Sequence, residues 1–349
     1  FGPAPEQNRF KVDGPIGNGV FSSVFRCKDT KEKKDCAVKF IRSHSMMRKA
    51  AEKEVEMYRR LAKQGPKEDS EGAQYLVNLW GVGTFEHQGH LCFVFELLMC
   101  DMRFALQKYG QGAGLPLASV KMYLRQLFQG LRALRRLKVI HGDLKPDNVL
   151  MTMDKAKIKI CDFGSAMDIT ETVKTPYVQP RYYRAPEIIL GVNYDTQIDV
   201  WSAGTTAFEL ATGRILFTGK TNNQMMKQMI DVCGPVHRSL LADGEYARKH
   251  FNPAGEFLNQ EPDSITGEPT PVRVPPKAKK PVQELLEVAL KKPPSGVDPA
   301  VHAKSVQQLA ELVAGCLRFS PADRMAPESA LALAFFPERQ VAQAGQQKS

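Results

Sequence analysis

The chain has 349 residues, 43% of them hydrophobic, and 48 basic against 38 acidic side chains give it a formal net charge of +10. This is enough for one large domain or two lobes around a buried core, and no apolar run approaches the roughly 18 residues of a membrane-spanning helix. The seven scattered cysteines form no C-x-x-C pair, which disfavours a zinc site or a disulfide framework and favours reduced thiols in the cytosol or nucleus.

The first predicted element, over residues 9–27, is a strand, a glycine-rich turn and a second strand. Its motif is Gly17-x-Gly19-x-x-Ser22-x-Val24, which leads into a strand and not a helix, and this disfavours a dinucleotide-binding fold. Two glycines let the backbone approach triphosphate oxygens without interference from Cβ atoms. Taken alone, however, the motif is better explained as an ordinary glycine-containing hairpin.

A single lysine, Lys39, then lies in the apolar strand of residues 36–41. A buried lysine is costly unless it meets a carboxylate or a phosphate. The helix predicted over residues 46–62 supplies Glu54, which we select as the ion-pair partner, whereas its other glutamates are better explained as solvated. Residues 64–74 are polar and predict a turn-rich loop.

A strand ending in Phe95 and Glu96 marks the place where strand-like segments give way to predicted helices. We expect the lobe boundary here, with one lobe over residues 9–98 and the other over residues 99–336. The backbone of the short connector can read an adenine edge, and Phe95 would form the wall behind it. The whole chain, residues 1–349, is interpreted as a single domain.

The larger lobe includes a proline-rich segment, residues 234–299, that differs in character from its surroundings. We predict a loop-rich insert there with one short helix near residues 282–290. The tail, residues 337–349, is polar. Asp199, which opens a strongly apolar helix, either bonds the turn that holds His141 or simply starts its helix.

The stretch from His141 to Leu150 carries the chemistry. It places Lys145 two residues after Asp143, and Asn148 five residues after it. One carboxylate can accept the proton of an attacking hydroxyl, one ammonium can neutralise a transferring phosphoryl group, and one carboxamide can hold a divalent metal. Asp162, at the end of the strand that follows, supplies a further metal-binding carboxylate.

With these residues assembled, the chain resembles a eukaryotic protein kinase from about residue 10 to residue 336. The resemblance rests on an ordered set: Gly17-x-Gly19, Ala37-Val38-Lys39, Glu54, His141-Gly142-Asp143 with Asn148, Asp162-Phe163-Gly164 and Ala185-Pro186-Glu187. Arg324 resembles the late arginine that pairs with the last of these residues in such kinases. The implied fold class is α+β and two-lobed: a small, mainly antiparallel β lobe with one helix and a larger, mainly helical lobe.

The finer resemblance is to the CMGC group. The activation segment over residues 175–187 is similar to that of the pre-mRNA processing factor 4 kinases, near the dual-specificity tyrosine-regulated branch. The stretches 90–96, 162–166 and 217–223 are similar to the same family. This resemblance implies a nuclear Ser/Thr kinase acting on spliceosomal proteins, with Ser/Arg- or Ser/Pro-rich proteins as the expected partners.

The resemblance also implies roles for individual residues. Asp143 is the catalytic base or orients the substrate hydroxyl, Lys145 stabilises charge on the transferring group, and Asn148 and Asp162 hold Mg²⁺ against the phosphates of ATP. The residues assigned to nucleotide binding are Ile16, Gly17, Gly19, Val24, Ala37, Lys39, Glu54, Phe95, Glu96, Leu98 and Leu150.

Regulation is expected at Tyr177, where a phosphate would be received by Arg181 and Arg184. Two departures from the family pattern bear on this expectation. Gly142 stands where such kinases usually carry the arginine that contacts a phosphorylated activation segment, so control by that route is in doubt. Pro180 replaces the usual hydroxyl that bonds the catalytic Asp and Lys.

The alternative to an active enzyme is a pseudokinase scaffold that binds splicing proteins without phosphorylating them. Intact Lys39, Asp143, Asn148 and Asp162 favour the enzyme. No stripe of aromatic residues interleaved with Arg or Lys is visible, so direct nucleic-acid binding is not expected. We expect a monomer with no membrane partner.

Overall fold

The computed structural model describes residues 9–336 apart from residue 20 and the ranges 263–268 and 273–277, so the predicted tail lies outside the described residues. The first part of the described chain is an antiparallel five-stranded sheet with the strand order β1-β2-β3-β5-β4. Its strands are β1 (Phe10–Asn18), β2 (Ser22–Asp29), β3 (Lys34–Ile41), β4 (Leu79–His87) and β5 (His90–Glu96). Between β3 and β4 run helices α1 (Ser45–Glu68) and α2 (Ser70–Ala73).

Strand β3 shows how the sheet positions Lys39. Successive side chains of a strand point to opposite faces. Cys36 and Val38 therefore enter a small buried cluster on one face of the sheet, where Phe85 and Val94 also lie. Lys39 is the residue after Val38, so its side chain points to the opposite face of the sheet, where α1 packs.

The loop predicted over residues 64–74 is wrong. Helix α1 continues to Glu68, and α2 follows almost at once. The reason is tertiary: the buried Asp69 carboxylate caps α2 through the Gly72 N–H at 2.9 Å and receives Arg132 at 2.6 and 2.9 Å. Asp69 thus forms a buried ion pair that holds the two helices in place, and hydrophobic periodicity does not reveal such a pair.

The second part of the described chain is mainly helical. Its helices are α3 (Met102–Gly110), α4 (Leu117–Arg136), α5 (Pro186–Leu190), α6 (Gln197–Thr212), α7 (Asn222–Cys233), α8 (Arg238–Asp243), α9 (Val282–Ala289), α10 (Pro299–Cys316) and α11 (Pro327–Leu331). Every residue of α6 is buried, so this helix is the centre around which the others pack. Within the described ranges, none of the helices is both long and apolar enough to cross a bilayer.

Short strands frame the segments between these helices. They are β6 (Cys100–Asp101), β7 (Val139–Ile140), β8 (Val149–Met151), β9 (Ile158–Ile160), β10 (Met167–Asp168), β11 (Phe257–Pro262) and β12 (Pro269–Val272). β6, β8 and β9 form one small sheet, β7 pairs with β10, and β11 pairs with β12. The stretch from His141 to Asn148 is therefore a loop between the strands β7 and β8.

The observed fold is an antiparallel β lobe followed by a helical lobe, which confirms the predicted α+β class. The two lobes share one hydrophobic core. Tyr58 of α1 stands against Phe93 of β5 and Phe163 of the second lobe, with ring centroids 6.4 and 5.4 Å apart. A shared core restricts how far the lobes can move relative to each other, and the functional residues lie close to this junction.

The prediction of a single helix in residues 234–299 is incomplete. Helix α9 is present, but α8 and the β11–β12 hairpin also fold in this segment. Prolines normally argue against a strand interior, and both strands of the hairpin contain them. Buried Phe257 pairs with Phe251 and fastens the hairpin to the helical lobe, a contact that the local sequence does not indicate.

A buried ion pair joins α5 to the segment between α10 and α11. Arg324 donates to both carboxylate oxygens of Glu187, at 2.6 and 2.8 Å, and both side chains are fully buried. Arg324 also donates to the carbonyl oxygens of Gln197 and Arg318. The pairing expected from the resemblance is therefore present, with every donor directed at an acceptor.

We expect Arg324→Met to lower the free energy of unfolding by about 3–5 kcal/mol, because it leaves the Glu187 carboxylate buried without a countercharge. The matched control is Arg135→Met, which breaks the exposed Arg135–Glu328 pair at 2.9 Å. That change should cost less than about 1 kcal/mol. Urea denaturation measures both values, and equal losses for the two variants would contradict this account of the buried pair.

Candidate functional site

A buried carboxylate holds the loop from His141 to Asn148 in place. Asp199 of α6 is buried and accepts hydrogen bonds from the backbone N–H groups of His141 at 2.7 Å and Gly142 at 3.0 Å. The His141 ring bonds the Cys161 carbonyl oxygen at 2.9 Å. Of the two interpretations of Asp199, the structure supports the one in which it bonds this turn.

Inside the loop, the three residues predicted to carry chemistry meet at one carboxylate. Lys145 Nζ lies 3.0 and 2.9 Å from the two carboxylate oxygens of Asp143. Asn148 Nδ2 donates to Asp143 Oδ2 at 2.7 Å and to its carbonyl oxygen at 2.8 Å. A single 3₁₀ turn over residues 146–148 brings Asn148 back toward Asp143, which explains the spacing in the sequence.

The second group of predicted residues is centred on Lys39. Its Nζ lies 2.8 and 3.0 Å from the carboxylate oxygens of Glu54 and 3.4 Å from Asp162 Oδ1. Burial by itself would lower the pKa of Lys39, but Glu54 and Asp162 outweigh it and hold that pKa above its ordinary value. The expected ion pair is thus present, and Asp162 joins it from the other lobe.

Asp162 is placed by an unusual backbone and by the ring that follows it. Its φ of 63° lies in the left-handed region, a conformation that costs free energy for a non-glycine residue and is often found at functional sites. Phe163 is buried between Tyr58 and His141, with ring centroids 5.4 and 5.2 Å away. Although burial opposes it, the positive charge of Lys39 lowers the pKa of Asp162, so the carboxylate stays ionised.

Asn148 and Asp162 present the chemistry that a magnesium ion requires. Mg²⁺ prefers hard oxygen ligands, and carboxylate and amide oxygens are among them. Both hydrogen bonds of the Asn148 amide to Asp143 come from its nitrogen, so its oxygen is the atom left for a ligand. The Asp162 side chain is about half exposed, 46%, and therefore accessible.

The residues assigned to the nucleotide base lie on neighbouring strands. In the sheet register, Ala37 faces Phe95, and Val24 faces Lys39. The connector after β5 returns as β6, which pairs with Leu150 and Met151 of β8. The connector is thereby joined to the strand that follows the His141–Asn148 loop.

Five further predicted residues occupy less enclosed positions. Ile16 is half exposed on β1, and Leu98 is partly buried in the connector. The Glu96 carboxylate forms an ion pair with Lys159. Gly17 and Gly19 lie at the tip of the β1–β2 hairpin, where the Gly19 N–H donates to the Ser22 carbonyl oxygen at 2.8 Å.

In the activation segment, Tyr177 is 80% exposed, and Arg181 is exposed as well. Arg184 is buried and donates to the carbonyl oxygens of Val178 and Gln179, both at 2.9 Å, and to Asn222 Oδ1 at 2.6 Å. Burial and the neighbouring charge of Arg181 lower the pKa of Arg184 to about 10. This guanidinium is thus anchored by neutral acceptors in a positively charged neighbourhood.

The backbone conformation and the neighbours of residue 142 explain why a glycine stands there. Its φ of 74° lies in the left-handed region, and a Cβ there would stand 3.1 Å from the Ser165 carbonyl oxygen and 3.7 Å from Met167 Cε. The backbone therefore passes close to the stretch at Ser165 and Met167, which precedes the activation segment. Any larger side chain would be strained here, whatever its charge.

The sequence reasoning missed the contacts that hold residues 165–174, the stretch that leads into the activation segment. Arg60 of α1 forms an ion pair with Asp168 at 2.8 Å, and the Tyr194 hydroxyl donates to the Val173 carbonyl oxygen at 3.1 Å. No local signal marks Arg60, which is one of several cations on α1. Glu209, an acid inside the buried helix α6, does carry a signal, because a buried carboxylate needs a partner; that partner is Arg103.

Comparison with known proteins places these features in a family. A family model described as a protein kinase domain matches residues 10–336. The serine/threonine-protein kinase prp4 of Schizosaccharomyces pombe is 38% identical over 329 residues, which cover 94% of this chain and 67% of the relative. The serine/threonine-protein kinase prpf4B of Dictyostelium discoideum is 37% identical over 325 residues, 93% of this chain and 39% of the relative.

A dual-specificity kinase is also among the relatives. The dual specificity tyrosine-phosphorylation-regulated kinase 3 of Mus musculus is 34% identical over 248 residues, 71% of this chain and 41% of the relative. The chain therefore spans only part of the length of these relatives, from 67% down to 39% in the three comparisons.

We expect Lys39→Met to destabilise the protein by up to about 3 kcal/mol, because Glu54 is left buried beside Asp162 without a cation. Burial already raises the pKa of Glu54 in the folded protein although Lys39 opposes the shift, and loss of the cation raises that pKa further. A carboxyl group whose pKa is raised on folding destabilises the folded state only at pH values at which it is ionised in the unfolded chain. The loss of stability should therefore be larger at pH 8 than at pH 5.

Urea denaturation at the two pH values measures this difference. The double variant Lys39→Met/Glu54→Gln is the matched control, and it should recover part of the lost stability and remove most of the pH dependence. A single variant whose loss is independent of pH, or a double variant as unstable as the single one, would contradict the buried-pair account.

Proposed function

The chain belongs to the protein kinase domain family, and on this premise we propose that it is a serine/threonine protein kinase that transfers the γ-phosphate of ATP to proteins. The observation that carries the proposal is a pair of charged groups: Asp143 with Lys145 and Asn148, and Lys39 with Glu54 and Asp162. After burial and Lys39, the charge of Lys145 also contributes to the lowered pKa of Asp162, so the two groups act on each other. The first group lies in the helical lobe, and the second joins the two lobes. Together they supply a base, phosphate-binding cations and metal ligands.

In the proposed reaction, the Asp143 carboxylate orients the substrate hydroxyl and accepts its proton as the oxygen attacks the γ-phosphorus. The bond between the γ-phosphorus and the oxygen that bridges it to the β-phosphate breaks, and ADP leaves. Lys145, already beside Asp143, neutralises charge on the transferring group, and Lys39 binds the α- and β-phosphates in the position that Glu54 imposes. Asn148 and Asp162 would hold Mg²⁺, which when bound neutralises charge on the phosphate oxygens. The chain's own part is mainly positioning and electrostatic stabilisation.

The nucleotide-binding assignments belong to the same proposal. Val24 and Ala37 from the sheet and Leu150 from β8 would enclose the adenine, with Phe95 behind it and the connector at Glu96 and Leu98 facing its edge. Ile16, Gly17 and Gly19 of the hairpin would cover the triphosphate. This placement is supported by the sheet register and by the pairing of β6 with β8.

Substrates and location follow from the relatives. Two kinases whose names carry prp4 and prpf4B are 38% and 37% identical to this chain over most of its length. We therefore propose splicing-related protein substrates and a nuclear location. A lobe boundary at residues 98–99 and a single kinase domain complete the proposal.

The activity test uses radiolabelled ATP and a basic protein substrate in the presence of Mg²⁺. Asp143→Asn should lower kcat by at least about 10²-fold, because the base is lost while the shape is kept. Asp162→Ala should reduce incorporation to background, as should chelation of the metal. Equal background labelling by the parent protein and Asp162→Ala would contradict the enzyme and favour the pseudokinase scaffold.

Autophosphorylation of Tyr177 is the second part of the proposal. A phosphate would add about −1.5 to −2 charges beside Arg181 and Arg184, whose environment is already positive. We expect Tyr177→Phe to lower kcat/KM severalfold and to remove a phosphotyrosine peptide detected by mass spectrometry.

Tyr182, a less exposed tyrosine of the same segment, provides the control. Tyr182→Phe should retain the phosphopeptide that contains Tyr177. Full activity in Tyr177→Phe, together with no phosphate on Tyr177 in the parent protein, would rule out this site.

A further inference from the structure

One cation of α1 bonds two separate segments of the helical lobe. Arg60 Nη2 lies 2.8 Å from Asp168 Oδ2 and donates to the carbonyl oxygen of Leu137 at 2.6 Å. The Nε of the same guanidinium lies 3.4 Å from Gln64 Oε1, which is a contact within α1. None of these atoms takes part in the proposed chemistry.

The two acceptors in the helical lobe belong to one small ribbon. Leu137 directly precedes the turn into β7, and Asp168 is the second residue of β10. The two strands pair antiparallel, with Asp168 opposite Val139, and the Ile169 N–H donates to the Lys138 carbonyl oxygen at 3.1 Å. A single guanidinium therefore fastens α1 to both strands of this ribbon.

The ribbon is continuous with the residues of the proposed reaction. Strand β7 ends three residues before Asp143, and β10 begins five residues after Asp162. On the other side of the contact, Glu54 lies six residues before Arg60 on α1, which is about 9 Å along the helix axis. The contact thus joins the helix that carries Glu54 to the strands that lead to the other two carboxylates.

The negative charge in this contact belongs to the chain itself. Hydrogen bonds from the Thr170 N–H and hydroxyl, followed by the bond from Arg60, lower the pKa of Asp168 and keep its carboxylate ionised. Gly142 faces the same stretch at Ser165 and has no side chain with which to hold it. Charge pairing to this stretch therefore comes from α1 and is present without an added phosphate.

From these contacts, and resting on the proposed kinase activity, we infer that Arg60 is a positioning residue for phosphoryl transfer. It holds α1, and with it Glu54, in place against the strands that lead to Asp143 and Asp162. Its partner in this role is Asp168. Arg60 touches neither nucleotide nor substrate in this account, and its effect does not depend on phosphorylation of the activation segment.

A purely structural role for the pair predicts a different result. The side chains of Arg60 and Asp168 are 29% and 21% exposed, and ion pairs that water reaches add little to stability. If the pair served stability alone, its loss would leave the kcat of the folded protein unchanged. A positioning role instead lowers kcat while the midpoint of urea unfolding stays close to that of the parent protein. The comparison of these two quantities is therefore informative.

The test measures kcat and KM of Arg60→Met with radiolabelled ATP, Mg²⁺ and a basic protein substrate. We expect kcat to fall at least about tenfold, because small misplacements of reacting groups are costly in rate. The KM for the protein substrate should stay within about twofold of the parent value, since no substrate contact is removed. Arg60→Lys, which keeps the cation, should recover most of the lost kcat.

The neighbouring Arg59 provides the matched control. It is an exposed arginine of the same helix, and in the described ranges its side chain makes no ion pair. Arg59→Met removes the same charge from α1, so a general effect of helix charge would lower kcat in both variants. We expect the kcat of Arg59→Met to remain within about twofold of the parent value.

The partner carboxylate can be tested with a change of one atom. Asp168 Oδ1 accepts hydrogen bonds from the Thr170 N–H at 3.0 Å and from its hydroxyl at 2.7 Å, whereas Oδ2 faces Arg60. Asp168→Asn keeps the first oxygen and replaces the second with an amide nitrogen. It should lower kcat as Arg60→Met does, and the double variant should be no worse than either single one, because all three lose the same contact.

Phosphatase treatment separates this contact from control by phosphate. The ratio of parent kcat to Arg60→Met kcat should be the same before and after treatment, because the anchoring anion is a carboxylate. A ratio that returns to unity in the treated proteins would overturn the inference, since Arg60 would then act through a phosphate.

The inference also fails if folded Arg60→Met and Asp168→Asn retain the parent kcat, or if their losses multiply in the double variant. It fails as well if Arg59→Met loses as much kcat as Arg60→Met. All of these results leave the proposed kinase activity standing. A parent protein that does not label the basic substrate contradicts the proposed function itself, so the two failures are distinguishable.

Discussion

The arrangement of the two lobes depends on one buried ammonium group. Lys39 can lie inside the protein only because Glu54 of α1 and Asp162 of the helical lobe bring carboxylates to within 2.8 and 3.4 Å of it. These three residues come from three separate elements, so satisfying the charge also fixes how the elements are placed. At the far end of α1, Asp69 and Arg132 tie the helix to the helical lobe in the same way.

Buried charges elsewhere follow the same logic, and the exceptions coincide with the proposed functions. Asp199 is satisfied by two backbone N–H groups of the catalytic loop, and Glu187 by Arg324. By contrast, Arg184 is held by neutral acceptors, which suits the arrival of a phosphate nearby. The amide oxygen of Asn148 is the corresponding position for a metal. A buried charge whose partners all belong to the protein makes the structure more rigid. A polar group that remains available can instead be paired by a ligand.

Arg103 and Gly142 show how tertiary context changes the meaning of single residues. Gly142 looks in the sequence like the loss of an arginine, yet its left-handed backbone and its approach to Ser165 show a tight fit to the stretch that leads into the activation segment. That stretch, residues 165–174, is fastened by Arg60 and by hydrogen bonds to its backbone. Arg103 looks like an ordinary helix cation, yet it crosses to Glu209, 106 residues further along the chain.

The sequence alone was sufficient for the fold class and for the residues placed around Asp143 and Lys39, because phosphoryl transfer restricts which side chains can stand at which spacing. It also indicated Glu54 correctly as the partner of Lys39, since a buried cation demands a carboxylate. It did not predict the continuation of α1 to Glu68, the β11–β12 hairpin or the Arg103–Glu209 ion pair. Each of these depends on partners distant in the chain, and an ion pair or a strand pairing is stabilised only when folding brings both members out of water together. Local pattern therefore indicated which side chains carry the proposed chemistry, and tertiary contact decided how they are held.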